Sequence, residues 1–169
     1  MKTFVLMLLV VVCCGQSSFA QKMTARERKA QKASEIEELV ESGNFVFDAR
    51  SANPLTGRRI DLTSTYNLKF DGDTVVAWLP YFGRAYQAPY GDTDGGIKFK
   101  EKPKAITREY NERRKLYEIK FEVKTSRDNY RMFLEIGLGG YATLSVNSDH
   151  RQMISFYGLI DAPVEDVKD

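Results

Sequence analysis

The side chains able to do chemistry gather in one stretch. Residues 79–97 read Leu-Pro-Tyr-Phe-Gly-Arg-Ala-Tyr-Gln-Ala-Pro-Tyr-Gly-Asp-Thr-Asp-Gly-Gly-Ile, with neither a helical nor a strand period. Tyr81, Phe82, Tyr86 and Tyr90 stand there together with Arg84. A tyrosine offers a flat apolar face with a polar edge, and an arginine offers a planar fork that matches a carboxylate or phosphate. Tyr81, Phe82, Arg84, Tyr86 and Tyr90 are therefore the candidate ligand-binding set. Read as architecture, the same stretch is a lid, with its aromatics buried over one end of a sheet and its glycines serving tight bends. Asp92 and Asp94 within it hint at calcium. A calcium loop needs further acids and a closing glutamate, and Lys98 and Lys100 follow instead, so no metal is assigned.

No catalytic residue is assigned. His150 is the only histidine, and Ser148 and Asp149 precede it in what reads as a turn. A nucleophile, a base and an orienting acid must converge in space, whereas adjacent turn residues point apart. One histidine without cysteine partners cannot build a zinc site. No pair of carboxylates stands out for hydrolysis, because most acids fall on wet strand faces or in a helix. No cofactor is implied.

The ends and the composition set the surroundings. Lys2 is followed by an apolar run, Phe4–Val12, and then by a small-residue stretch ending Ser18-Phe19-Ala20. That is the layout of a secretory signal peptide over 1–20, cut after Ala20. The run is far shorter than the roughly 20 residues of a spanning helix, so no transmembrane segment is expected in the mature chain. Export to the periplasm or cell surface follows, with lipid anchoring to an outer membrane through Cys13 or Cys14 as the alternative. Both cysteines of the chain fall in the leader, so the mature protein has no disulfide and no thiol chemistry. The chain has 25 basic and 23 acidic side chains, and loss of Lys2 lowers its formal charge from +2 to +1. That balance gives no electrostatic case for nucleic acid. The partner is an unknown envelope ligand or protein.

The elements that must position the loop read clearly. Residues 24–42 form an amphipathic helix, with Thr24 and Glu27 in a capping box, Ala33, Ile36, Leu39 and Val40 at helical spacing, and Gly43 as the stop. From Phe45 the period becomes two. Phe45, Phe47 and Ala49 alternate with polar neighbours, as do Tyr66, Leu68 and Phe70. Asp71-Gly72 turns the chain into a strand over 74–79, in which Trp78 is expected to be buried. Strands follow over 105–110, 117–124, 130–138, 141–146 and 152–160, with Gly139-Gly140 as a hairpin turn. Short connections force antiparallel pairing. The expected fold is α+β and mainly β: a helix at 21–44 packed on an antiparallel domain at 45–160, as a curved sheet or partly closed barrel, with an acidic tail at 161–169. A two-layer sandwich is the alternative.

The run Leu79-Pro80-Tyr81-Phe82-Gly83-Arg84-Ala85-Tyr86, then Ala88-Pro89-Tyr90-Gly91, then Gly95-Gly96-Ile97-Lys98-Phe99, resembles the signature of an uncharacterised family of secreted and lipid-anchored proteins from gut-type Bacteroidetes. The preceding helix and the turn Asn53-Pro54-Leu55-Thr56-Gly57 are similar too. The likeness covers most of the mature chain. It implies an envelope location and no reaction, because the family is a domain of unknown function. The bulky Val12 before Cys13 departs from the lipid-anchored members. The leading expectation is a non-enzymatic binding or interaction module that uses the loop at 79–97. The alternatives are an envelope enzyme built on carboxylates or Tyr and Arg, and a structural or assembly component.

Overall fold

A computed structural model describes residues 23–86 and 95–163. The chain opens with helix α1, Ala25–Ser42. Thr24 caps it reciprocally: the Glu27 N–H donates to the Thr24 hydroxyl at 3.3 Å, and the Thr24 N–H donates to the Glu27 carboxylate at 2.7 Å. Gly43 ends it in the left-handed region at φ 69°, where a side chain would be strained. Ile36 and Val40 are buried, and the first two turns stand in solvent.

Nine strands follow: β1 (Asn44–Pro54), β2 (Ile60–Asp71), β3 (Thr74–Leu79), β4 (Ile97–Glu101), β5 (Ala105–Asn111), β6 (Leu116–Lys124), β7 (Asn129–Gly137), β8 (Tyr141–Ser148) and β9 (Ile154–Asp161). They form one antiparallel sheet in the order β4-β3-β2-β1-β9-β8-β7-β6-β5. Every chain neighbour is a sheet neighbour except at one point. The edge strands β4 and β5 are consecutive in the chain, joined only by Lys102-Pro103-Lys104. Eight antiparallel pairings separate them, so they run in the same direction. The chain therefore leaves β3, bends at Pro103, which has no N–H to give, and continues onward along β6. The Lys104 N–H already bonds the Glu122 carbonyl at 2.9 Å.

That hand-over requires the sheet to curl, and the core shows that it does. Phe70 of β2 meets Phe121 of β6 edge-on at 5.3 Å, and Phe99 of β4 stacks on Tyr130 of β7 at 5.6 Å. A bulge in β1 between Ala49 and Ser51 shifts its register against both neighbours, β2 and β9, and bends the middle of the sheet. The result is a half-barrel with α1 packed at one end, where Ile36 lies against Gly140 of the β7–β8 turn. This is the curved-sheet expectation rather than the sandwich.

Some details differ from the sequence reading. Trp78 is not buried but 51% exposed. Val75, Ala77 and Leu79 take the inner face, so the register sends Trp78 outward, with the Lys98 ammonium 3.8 Å from its ring centroid. Strand β2 begins at Ile60 instead of Tyr66, because its first half is exposed and carries no apolar alternation. The short β4 was not expected as a separate strand. The tail boundary at 161 also moves, since Asp161 pairs with Val46 as the end of β9. The leader with Cys13 and Cys14, the residues Tyr90, Asp92 and Asp94, and the tail beyond Pro163 lie outside the described residues.

Candidate functional site

The candidate loop leaves β3 at the end of the half-barrel opposite the helix. Leu79 is its last core residue. Tyr81 then turns back, half-buried, and packs against the core. Its hydroxyl lies 2.8 Å from the Arg84 carbonyl and 2.9 Å from the Gln152 carbonyl. Burial pushes the phenol's pKa above its ordinary value of 10.0, opposed by the Gln152 bond and by the nearby Arg151 charge. The Arg151 guanidinium lies over the Tyr81 ring, 5.2 Å from its centroid.

The backbone beyond Tyr81 is tied down like a short added strand. The Gln152 N–H donates to the Arg84 carbonyl at 3.0 Å, and the Tyr86 N–H donates to the His150 carbonyl at 2.8 Å, on either side of a bridge between Ala85 and Arg151. The side chains do the reverse of the backbone and turn outward. Phe82 is 41% exposed, Tyr86 is 68% exposed, and Arg84 is exposed. The structure thus divides the candidate set. Tyr81 is half-buried against the core, while Phe82, Arg84 and Tyr86 are exposed.

Two residues beneath the loop were missed by sequence reasoning. Asp128 and Arg151 are buried charges, only 7% and 6% exposed. Asp128 accepts from the Ser148 hydroxyl at 2.5 Å and from the Asn129 N–H at 2.8 Å. Arg151 donates through Nη1 to the carbonyls of Gly95 at 2.5 Å and Gly96 at 3.3 Å. Both residues sit in turn segments, where charge normally meets water, and no periodicity marks them. The Ser148-Asp149-His150 run serves this frame and forms no triad. Ser148 bonds Asp128, Asp149 pairs with Arg131 at 2.9 Å, and the His150 N–H donates to the Ser148 hydroxyl.

Beside the frame, between β4 and the β6–β7 turn, runs a groove of about 290 Å³ whose lining includes Lys98, Phe99, Thr125, Arg127, Tyr130 and Arg151. Among the described residues, no group of three or more His, Cys, Asp or Glu could hold a metal ion. The carboxylates with lowered pKa lie on the outer surface. Asp73 is held low mainly by Lys102, and Glu118 by the Asn111 amide. No helix among the described residues is long and apolar enough to cross a membrane.

Comparison with known proteins points one way. The family profile described as Domain of unknown function (DUF4251) matches residues 27–160. A crystal structure of a DUF4251 family protein from Bacteroides eggerthii DSM 20697, at 1.95 Å, superposes with a TM-score of 0.61 at 16% identity, covering 79% of this chain and 89% of that one. At that identity the likeness speaks for the fold. No curated protein matches the chain.

Proposed function

Starting from the chain's membership of the DUF4251 family, a domain of unknown function, we propose that it is an exported, non-enzymatic binding module whose ligand face is the loop end of the half-barrel. One observation carries this reading: the backbone of residues 84–86 is hydrogen-bonded to residues 150–152 while Phe82, Arg84 and Tyr86 remain outward. Exposed aromatics on a mobile segment would lose rotational freedom on binding, whereas a tied backbone presents them already ordered. Export rests on the signal-like layout of residues 1–20, and delivery to the periplasm or cell surface follows from it.

An enzyme in the same region would need acids or a nucleophile converging on a pocket. The one buried acid there among the described residues, Asp128, has its oxygens engaged by Ser148 and Asn129, which favours a structural role for it. A purely architectural loop would bury all of its aromatics, and Phe82 and Tyr86 are not buried.

The test pairs stability with binding. Tyr86→Ala should change unfolding free energy by less than about 0.5 kcal/mol, as exposed positions do, and should abolish binding to whichever envelope glycan or peptidoglycan fragment the parent captures. Arg84→Lys, which keeps the charge and loses the fork, should weaken that binding. Destabilisation by both variants, with no fragment bound by the parent, would leave the loop as architecture.

A further inference from the structure

The two edges of the sheet differ in how they are guarded. A free edge presents a row of backbone N–H and C=O groups on which another chain can pair, and soluble proteins blunt it with shortness, lysine, proline or a bulge. Strand β4 has the first three: it spans only Ile97–Glu101, carries Lys98 and Lys100, and is followed by Pro103. Strand β5, Ala105–Asn111, is longer, has neither lysine nor proline, and runs along β6 in unbroken register. Among the described residues it pairs with β6 alone. Its register places Ile106, Arg108 and Tyr110 opposite Phe121, Ile119 and Tyr117, on the inner face of the sheet. Most inner-face residues are core, yet here the sheet stops and all three are exposed, Ile106 at 36% and Tyr110 at 43%. This edge lies toward the helix end of the half-barrel, away from the loop. The Arg108 guanidinium stands 3.2 Å from where a Cβ on Gly43 would be.

Arg108 is the one charge that β5 carries on its inner side, so it selects what can pair there. A strand added to β5 sets one side chain directly opposite Arg108 and others opposite Ile106 and Tyr110. Opposite charges facing each other across a sheet stabilise the pairing, and like charges destabilise it. A second copy of this chain fits badly. Two copies of one edge pair about a twofold axis normal to the sheet, which keeps inner faces together, so even-numbered residues meet even and odd meet odd. Centred on Arg108, that pairing opposes two guanidiniums, and centred on Glu109 it opposes two carboxylates. Centred on Thr107, it leaves Tyr110 past the end of the other strand. We infer that β5 takes an extended segment of another protein as an added strand, with an acidic residue facing Arg108 and an apolar residue two positions to either side, against Ile106 and Tyr110. Main-chain hydrogen bonds give such a contact its affinity, and the alternating side chains give it specificity. This surface is separate from the loop face and stands whether or not that face binds a ligand.

The experiment is a titration of the mature chain with three blocked peptides, followed by amide NMR shifts and amide exchange. The first has the one-letter sequence TVTETVT, which puts its glutamate and both valines on one face. The second, TVTKTVT, sets a lysine against Arg108. The third is the first peptide N-methylated at the glutamate and at the threonine after it, which keeps every side chain and removes a ladder donor whichever edge it presents. TVTETVT should shift the amides of residues 105–111, slow their exchange with solvent and leave those of β4 unmoved. It should bind about tenfold more tightly than TVTKTVT, the scale of replacing an attractive cross-strand pair by a repulsive one, and the N-methylated peptide should not bind. Arg108→Glu should reverse the preference in favour of TVTKTVT. The comparison of peptides on the unaltered chain keeps the test valid should that variant fail to fold. Equal affinities for the three peptides, or amides 105–111 unmoved by any of them at millimolar concentration, would overturn the inference, as would a folded Arg108→Glu protein that keeps the parent's preference. Self-association of the parent that broadens the same amides without peptide would also overturn it and assign the edge to a second copy.

Discussion

Trp78 and Phe156 are both large aromatics in strands, and one step of register separates their fates. Phe156 is wholly buried, so Phe156→Ala should cost about 3–5 kcal/mol. Trp78 stands on the outer face with the Lys98 ammonium over its ring, and an exposed cation–π contact contributes about 0.5–1 kcal/mol. Trp78→Ala should therefore shift the urea midpoint only slightly, and acrylamide should quench the native fluorescence of this single tryptophan. The sequence could not say which face was inner, because Thr74–Leu79 is largely apolar on both. Tyr81 and Tyr117 supply a pH test. Burial is the main cause holding both phenols above 10.0 in the folded protein. The native state thus keeps these protons more tightly than the unfolded chain does. Their contribution is intact below pH 10 and fades as the pH climbs through the folded values. A Tyr81→Phe/Tyr117→Phe protein should show a flatter stability profile than the parent above about pH 10. Parallel profiles would mean that the phenols ionise freely.

At the scale of the elements, β1 and β9 leave no room for a side chain at Gly158. A Cβ on Gly158 would overlap the Asp48 carbonyl oxygen and lie 3.0 Å from the Phe47 ring. Backbone cannot retreat as a side-chain tip can, so Gly158→Ala should destabilise by about 3 kcal/mol or more, read from denaturant midpoints. Gly72, at the β2–β3 turn, has φ at 61° and open space within 4 Å of where a methyl would stand. The same substitution there should cost less. Helix α1 and most strands were legible because a capping box and a period of two are local signals. The first half of β2 was not, since an exposed polar strand owes its conformation to the neighbours it pairs with, and the five-residue β4, with Ile97 buried, merged in the sequence with the loop it follows. The candidate loop was legible in part for the same reason. Its aromatics stand out by composition, but that Tyr81 turns inward while Phe82, Arg84 and Tyr86 stay exposed depends on the backbone pairing with residues 150–152. The frame of Asp128 and Arg151 is assembled from turns distant in sequence, and a buried charge cannot be told from a solvated one until its partners are known.

At the scale of the whole molecule, the sheet closes through its ends. The first strand and the last lie side by side in the middle of the sheet, with Val46 opposite Asp161 and Pro54 opposite Ile154. Every strand between β1 and β9 must be available before that pairing can form. Non-local sheets of this kind fold in milliseconds to seconds, far more slowly than local helical folds. A chain ending at Met153 would lack β9 and leave unpaired edges on both β1 and β8, so it should give neither near-ultraviolet circular dichroism nor dispersed amide signals. A truncated protein with a native-like spectrum would show that the two flanking meanders fold separately. The timing bears on synthesis. As residues emerge from the ribosome, the core lacks one of its two central strands until β9 has been made. A topology that locks on its ninth strand leaves the eight before it waiting, with the edges of β1 and β8 open in the meantime.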